Sequence, residues 1–481
     1  MKTTLARSLA IVASLLLVFP APDWATCGGG GGGGTGGMGG SMNDQAYKVP
    51  WKIIQSSDAP GPGLAVFWLP SSQAELERSS LLYSRVLSAY SQQCVTMGIV
   101  DSRTALGQRV GGGAKLPIAV LADTDGKTIA RADNKDGFLK VDQVEKLVEN
   151  EMKQREDGLK SKLKEAQASA KSGNRDQAVA LYRSVLTQKC MFPGKAKDAA
   201  KELKKLGVDD VGTIFDGPVL DHARSARIDR IMSRGLHAEM KDNYAEAERL
   251  YTEAHNLDPA DAVPLRYLGE LYRHHIGDWD RARAVFQQIL DRPADPLSRA
   301  VALHGIGKMT IHEGDFKKGL ALMEASLKEY PLALANRNLA VYWNSEGDTA
   351  RADYYTREAL KLDPKDPFNL VFAAAFLAGN GHAEEALKVA RENENLMPAS
   401  YNLAAIYAQA GQKERALQLL RRHFFEYERT QSVRSKEMME ARVDAVFVSL
   451  YDDPAFIALT SGADGKLMPS KPMKAAAQTA N

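Results

Sequence analysis

Few residues in this 481-residue chain have the type and spacing that chemistry needs. Its three cysteines, Cys27, Cys94 and Cys190, form no Cys-x-x-Cys pair and have no metal-ligand spacing. A bridge between Cys94 and Cys190 would have to cross between two domains, so both are expected as buried, reduced thiols. The alternative is a thiol-dependent oxidoreductase that uses Cys94 alone or with a partner's cysteine. His274, His275, His304 and His312 contain no His-Glu-x-x-His, and only His304 and His312, eight apart, could share a helix face, so no metal is expected. Ser72 with Glu75 three residues on reads as a helix N-cap and capping box, and no histidine lies nearby to make the serine a nucleophile. Asp258, Asp315 and Asp348 belong to turns, not to paired catalytic carboxylates. There is no phosphate-binding P-loop, nucleophile elbow or kinase signature, and the glycine run at 28–40 lacks the strand and helix of a nucleotide loop. The pattern predicts a protein that is not an enzyme and takes no cofactor.

The N-terminal residues carry a different kind of chemistry. Lys2 and Arg7 precede the apolar run 9–19 (LAIVASLLLVF), which has the length of a signal-peptide core and is too short for a membrane span. Residues 1–27 are therefore expected to be an export signal, and 28–44 a glycine-rich flexible linker. Ala21 or Ala25 could end a cleavage site. Cys27 before Gly28 is also similar to the lipid-modified cysteine of bacterial lipoproteins, although Trp24 and Thr26 stand where that motif has leucine and a small residue. Both processing routes stay open. Membrane attachment is expected only through the signal or this lipid.

The bulk composition narrows the partners. Hydrophobic residues make up 44% and charged residues 25%, and 62 basic against 60 acidic residues leave a formal charge of +2. A nucleic-acid binder would show a basic surplus or a Lys/Arg stripe interleaved with aromatics, and neither is present.

Two kinds of element must position whatever the chain does. The run 63–69 (GLAVFWL) is a strand buried on both faces, followed by a helix from Gln73 to about Gln92 and a second apolar strand at 94–100. That order implies a parallel pair with a right-handed crossover. Residues 118–122 and 127–133, joined by the turn 123–126, form a hairpin, and an amphipathic helix over 141–152 closes the unit. With Phe67-Trp68 ending the first strand and Leu116-Pro117 opening the third, residues 45–155 resemble thioredoxin and its tethered relatives. The resemblance implies a cis Pro117 and a Cys-x-x-Cys just after the Phe-Trp strand. Here that place reads Leu69-Pro70-Ser71-Ser72-Gln73-Ala74-Glu75, so the resemblance departs at the residues that would carry electrons.

The rest of the chain is periodic. A small residue, a Gly-Asp-aromatic-like turn, an alanine-type anchor and often an Asp-Pro stop recur, as in Gly235, Asp242-Asn243-Tyr244, Ala247, Tyr251 and Asp258-Pro259. The anchors at 178, 247, 282, 319, 352, 386 and 416 are 69, 35, 37, 33, 34 and 30 residues apart, the first gap being two periods with an irregular or degenerate unit at 192–219. This resembles the tetratricopeptide repeat, two antiparallel helices in about 34 residues. Residues 158–460 are thus expected to be an all-α solenoid, 444–460 its structural cap, and 461–481 a disordered tail. The resemblance implies a groove for protein or peptide segments, lined by Arg266, Glu270, Arg273, His274, His304, Lys308, His312, Arg337 and Asn344 on the exposed faces of the first helices. That set is net basic and would suit an acidic segment or a free C-terminal carboxylate.

The expected architecture is thus multidomain, an α/β thioredoxin-like domain without its redox pair followed by a superhelix of helix hairpins. The expected role is an exported scaffold or adaptor in the periplasm or cell envelope, with the thioredoxin-like domain as a redox-inactive docking unit.

Overall fold

The computed structural model describes residues 45–54, 63–123, 126–396, 399–428 and 431–461. The expected signal, Cys27, the glycine linker, the tip of the 123–126 turn and the tail beyond Ser461 lie outside those residues. The described residues are mostly helical, with one small sheet near the beginning. The described residues divide into two compact units, one within 45–71 and 78–330 and one within 331–461 together with 72–77.

The sheet lies in the first unit. Its strands are β1 (Lys52–Ile53), β2 (Leu64–Leu69), β3 (Val95–Ile99), β4 (Ile118–Ala122) and β5 (Thr128–Asp133), in the order β1-β3-β2-β4-β5. Strands β2 and β3 are parallel, as a strand-helix-strand order requires, and β4 is antiparallel to both β2 and β5. All six residues of β2 and all five of β4 are buried, which is why they read as unbroken apolar runs. β1 is two residues long and too short to leave a pattern. The Leu116-Pro117 peptide is cis, as the resemblance implied.

The single helix expected from Gln73 to about Gln92 is in fact three pieces, Gln73–Arg78, a tighter turn Ser80–Leu82, and Arg85–Ser91. Serines interrupt it. Ser79 and Ser84 each adopt extended backbone and accept an N–H from two or three residues on, starting a new turn instead of continuing the old one. Ser72 caps the first piece, its Oγ accepting from the Glu75 amide at 3.1 Å.

Beyond the sheet, helix follows helix. The helix Val141–Lys171 runs 31 residues without a break, straight through the domain boundary drawn at 155–158. Nothing between those residues stops a helix except Gly158, which costs only about 1 kcal/mol relative to alanine. Hairpins follow at 222–240 with 244–257, 263–276 with 279–290, and 296–312 with 316–329 in the first unit. The second unit holds 333–345 with 349–362, 367–379 with 383–392, and 400–409 with 413–422. The residues expected to be irregular at 192–219 include a regular helix, Pro193–Lys205, buried through Ala196, Ala199, Ala200 and Leu203. Its alanines were too small to stand out as an apolar stripe.

The periodic residues have clear physical jobs. A Cβ on Gly269 would lie 2.3 Å from the Phe286 ring, so only glycine lets the two helices of that hairpin cross. Gly277 takes φ 74° between them, and Asp278 then caps the second helix by accepting the Arg281 amide. Asp315 and Asp348 cap their helices in the same way. The cap expected at 444–460 is present in the second unit, where Phe447, Leu450, Phe456 and Leu459 join the same buried cluster as Ile406, Leu420 and Phe424.

One expectation is overturned. Cys94 and Cys190 are not reduced thiols but a disulfide, with Cα atoms 5.9 Å apart. Cys94 sits at φ 58° in the turn before β3, and Cys190 in the turn between helices 175–186 and 193–205. Both turns belong to the same compact unit, so a separation of 96 residues along the chain becomes contact in space.

Candidate functional site

The nine residues expected to line an exposed groove are placed quite differently from one another. Arg266 is 1% exposed and His304 0%, and Glu270, Arg273, His274 and Lys308 are buried too. Only His312, Arg337 and Asn344 keep partial exposure. All nine stand on the first helices of their hairpins, but spacing could not show what covers them.

In the first unit part of the cover is the chain's own segment 45–51, whose Ala46 carbonyl accepts from Arg266 at 3.5 Å. This segment lies between the sheet region and the repeat helices. Its Tyr47 carbonyl accepts the Ser84 amide and its Val49 amide donates to the Leu82 carbonyl, both at 2.9 Å. On its other side, Tyr267 donates to the Ala46 carbonyl at 3.0 Å, and Tyr330 to the Trp51 carbonyl at 3.2 Å. The Tyr47 hydroxyl donates to Asp261 at 2.7 Å.

Arg85 supplies the charge at this joint. It leaves helix Arg85–Ser91 and meets Asp258 at 2.5 Å and Asp261 at 3.2 Å, while donating to the Ser225 hydroxyl at 2.6 Å and the Val219 carbonyl at 3.0 Å. Burial opposes its charge, but Asp261, Tyr47 and Asp258 more than offset this and hold the guanidinium above its usual value. Burial likewise lifts the Asp258 carboxyl, and lifts that of nearby Asp229 to about 6 against the pull of Arg85. Farther along the same helices Arg266 lies 3.9 Å from Asp295, both buried. Glu270 and Arg273 pair at 2.7 Å, so two of the expected groove residues satisfy each other.

The histidines stay dispersed among structural contacts. His274 stacks on His275, His275 also on Tyr244, and His312 packs against Trp279. Among the described residues no three His, Cys, Asp or Glu side chains converge as metal ligands. In the second unit Arg337 hydrogen-bonds to Asn369 from the neighbouring hairpin.

Sequence reasoning missed Tyr47, Arg85 and Asp261, and read Asp258 only as a turn residue. One signal was available. Arg85 opens the otherwise apolar stretch RVLSAY, where a buried arginine demands buried carboxylates.

The tetratricopeptide repeat family model matches residues 265–300. This stretch is a tetratricopeptide repeat. It covers the helix with Gly269, the Gly277-Asp278 turn and the helix carrying Phe286, and helix hairpins continue on either side of it. Protein CTR9 homolog of Arabidopsis thaliana is 25% identical over 234 residues, a match that takes in 38% of this chain and 21% of the relative. The chain therefore spans about a fifth of that protein's length. Solved structures with a likeness include YrrB, a TPR protein with an unusual peptide-binding site (22% identity, 36% of this chain and 90% of the other, TM-score 0.25). PilW, a type IV pilus biogenesis factor, is 17% identical over 52% of this chain and 97% of its own, with TM-score 0.31. The Cut9-Hcn1 assembly of APC/C is 10% identical over 64% and 76%, also with TM-score 0.31. Likenesses this distant carry no argument about function.

Among the described residues no helix is long and apolar enough to cross a membrane.

Proposed function

We propose that this chain is an exported scaffold or adaptor of the bacterial cell envelope that binds protein segments through its helix hairpins. The observation that carries this reading is the run of hairpins built on one plan, with small residues at the crossings and Asp caps at the turns. Such units stack their first helices side by side, and where that face is left uncovered it suits a polypeptide rather than a small substrate. Export is supported by the Cys94–Cys190 disulfide, because such bonds persist in oxidising compartments and are rare in the cytosol. It would fit a mature chain processed after Ala21 or Ala25, or lipidated at Cys27.

The sheet region is read as a thioredoxin-like domain without its redox pair. Supporting this are the parallel β2–β3 pair, the antiparallel β4–β5 pair, the cis Leu116-Pro117 bond, and Ser72 acting as a helix cap where a nucleophilic cysteine would stand. A thiol enzyme using Cys94 is disfavoured, since that sulfur is bonded to Cys190. With the first-unit groove residues buried, partner contact falls to the partly exposed Arg337 and Asn344 in the second unit and to His312 in the first. The positive charge of Arg337 favours an acidic segment or a C-terminal carboxylate.

The test is fractionation of producing cells, with sequencing of the mature N-terminus, followed by crosslinking in intact cells and identification of the adducts. Recovery in the envelope without residues 1–21, crosslinked to defined polypeptides, is expected. A cytosolic chain retaining Met1, or adducts with no polypeptide, would contradict the proposal.

A further inference from the structure

The cap of the second unit breaks a rule that repeat arrays ordinarily keep. The end of such an array has no further hairpin to stack on it, so an outer side that faces water must be polar. Here three short elements close the end, helix Gln431–Ala441, the tight turn Ala445–Leu450 and helix Pro454–Thr460. Each buries one side, through Met438, Phe447 and Phe456, in the same cluster as Ile406 and Leu420 of the last hairpin. Their other sides turn away from the array. Among the described residues eight large apolar side chains are exposed, and four of them, Met439, Val443, Val448 and Ile457, fall between 439 and 457.

At 52, 74, 65 and 51% exposure these four together offer on the order of 400 Å² of apolar surface, the size of the largest patch a soluble monomer ordinarily carries and about half of the roughly 800 Å² that each partner buries in a standard interface. Exposed Pro454, Ala455 and Ala458 extend it. The fully exposed charges between 439 and 458 are Arg442 and Asp452, one of each sign, so the face neither repels a copy of itself nor selects a strongly charged partner. The repeats begin, in the first unit, with helix Val141–Lys171, which packs on β4 and β5 of the chain's own sheet and so offers no matching open end. Head-to-tail stacking into a filament is thereby closed off. Two like ends meeting about a two-fold axis is the arrangement that remains.

We propose that the outer side of the 431–460 cap is a docking surface for a second copy of this chain, the two caps packing face to face as a two-fold dimer. Each copy buries Met439, Val443, Val448 and Ile457 against the same set on the other, and apolar burial drives the contact. The inference stands apart from the scaffold reading, since it uses none of the residues assigned to partner contact.

The test is sedimentation velocity of the full chain over a range of concentrations, with Val443→Asp, Val448→Asp and Phe138→Asp measured beside it. The mass is expected to rise with concentration from one chain toward two. Val443→Asp and Val448→Asp should each weaken the association by about ten-fold or more, because each buries an unpaired charge in the contact. Phe138→Asp, at a comparably exposed site in the first unit, should leave it unchanged. All three positions are exposed, and an unchanged urea midpoint shows that the fold survives the substitution. A chain that stays single at every concentration would overturn the proposal and leave the face to its own residues 462–481 or to a different protein. A dimer that both cap variants leave intact would overturn it as well, by placing the contact elsewhere.

Discussion

Arg85 is the residue on which the first unit's joint turns, because it is charged, buried and met by two carboxylates. Removing it leaves Asp258 and Asp261 buried without a counter-charge, a loss that ordinarily costs about 3–5 kcal/mol. Arg85→Ala should therefore lower the first unit's urea midpoint strongly, and replacing all three residues by apolar ones should recover most of the loss. Chemical denaturation followed by exchange at 222–276 checks both. Asp229 sets a pH dependence nearby. Its folded value of about 6 lies above the ordinary carboxyl range, chiefly through burial, so the proton is held more tightly in the folded state. The stability this contributes is fully present below about pH 4 and is lost as pH rises through about 6, about 3 kcal/mol in all. Asp229→Asn should flatten that part of the stability profile and raise the midpoint at pH 7. A variant that kept the slope would refute the assignment.

At the scale of elements, the glycine crossings decide how closely helices approach. Gly269→Ala would drive a methyl group into the Phe286 ring, whereas Gly314, at φ 99°, has nothing near its absent Cβ. The first change should cost about 1–3 kcal/mol by overpacking and the second about 1 kcal/mol by backbone strain alone. Pairing each with Phe286→Leu separates them in a double-mutant cycle, since only the Gly269 cost should shrink. These crossings were legible in the sequence because the same small residue, turn and anchor recur at a fixed period. So were β2 and β4, whose burial on both faces leaves continuous apolar runs. The breaks at Ser79 and Ser84 were not, because a serine within a helical pattern does not reveal whether its hydroxyl will claim the backbone. The helix at 193–205 hid behind small alanines. Least legible was the site. Arg266 stands at a groove position by spacing, yet whether it meets water or the chain's own Ala46 carbonyl depends on a contact between residues more than two hundred positions apart.

Across the whole molecule, the Cys94–Cys190 bridge closes a loop of 96 residues and so restrains the unfolded chain heavily. Loop-closure entropy for that length gives about 4–5 kcal/mol, so Cys94→Ala should lower the first unit's melting temperature well below that of the oxidised chain. Calorimetry with and without reductant reads this, and a reductant-insensitive melt would argue against the bond. With the first-unit face plugged, the second unit is left to hold partners, and the central claim is that hairpin faces grip polypeptide. Its most direct test is photo-crosslinking in intact cells from a benzoylphenylalanine placed at Asn344, on a first helix, and separately at the exposed Tyr354 on the second helix of the same hairpin. Defined polypeptide adducts from position 344 and none from 354 are predicted. Adducts from 354 alone, or none from either position, would contradict the account.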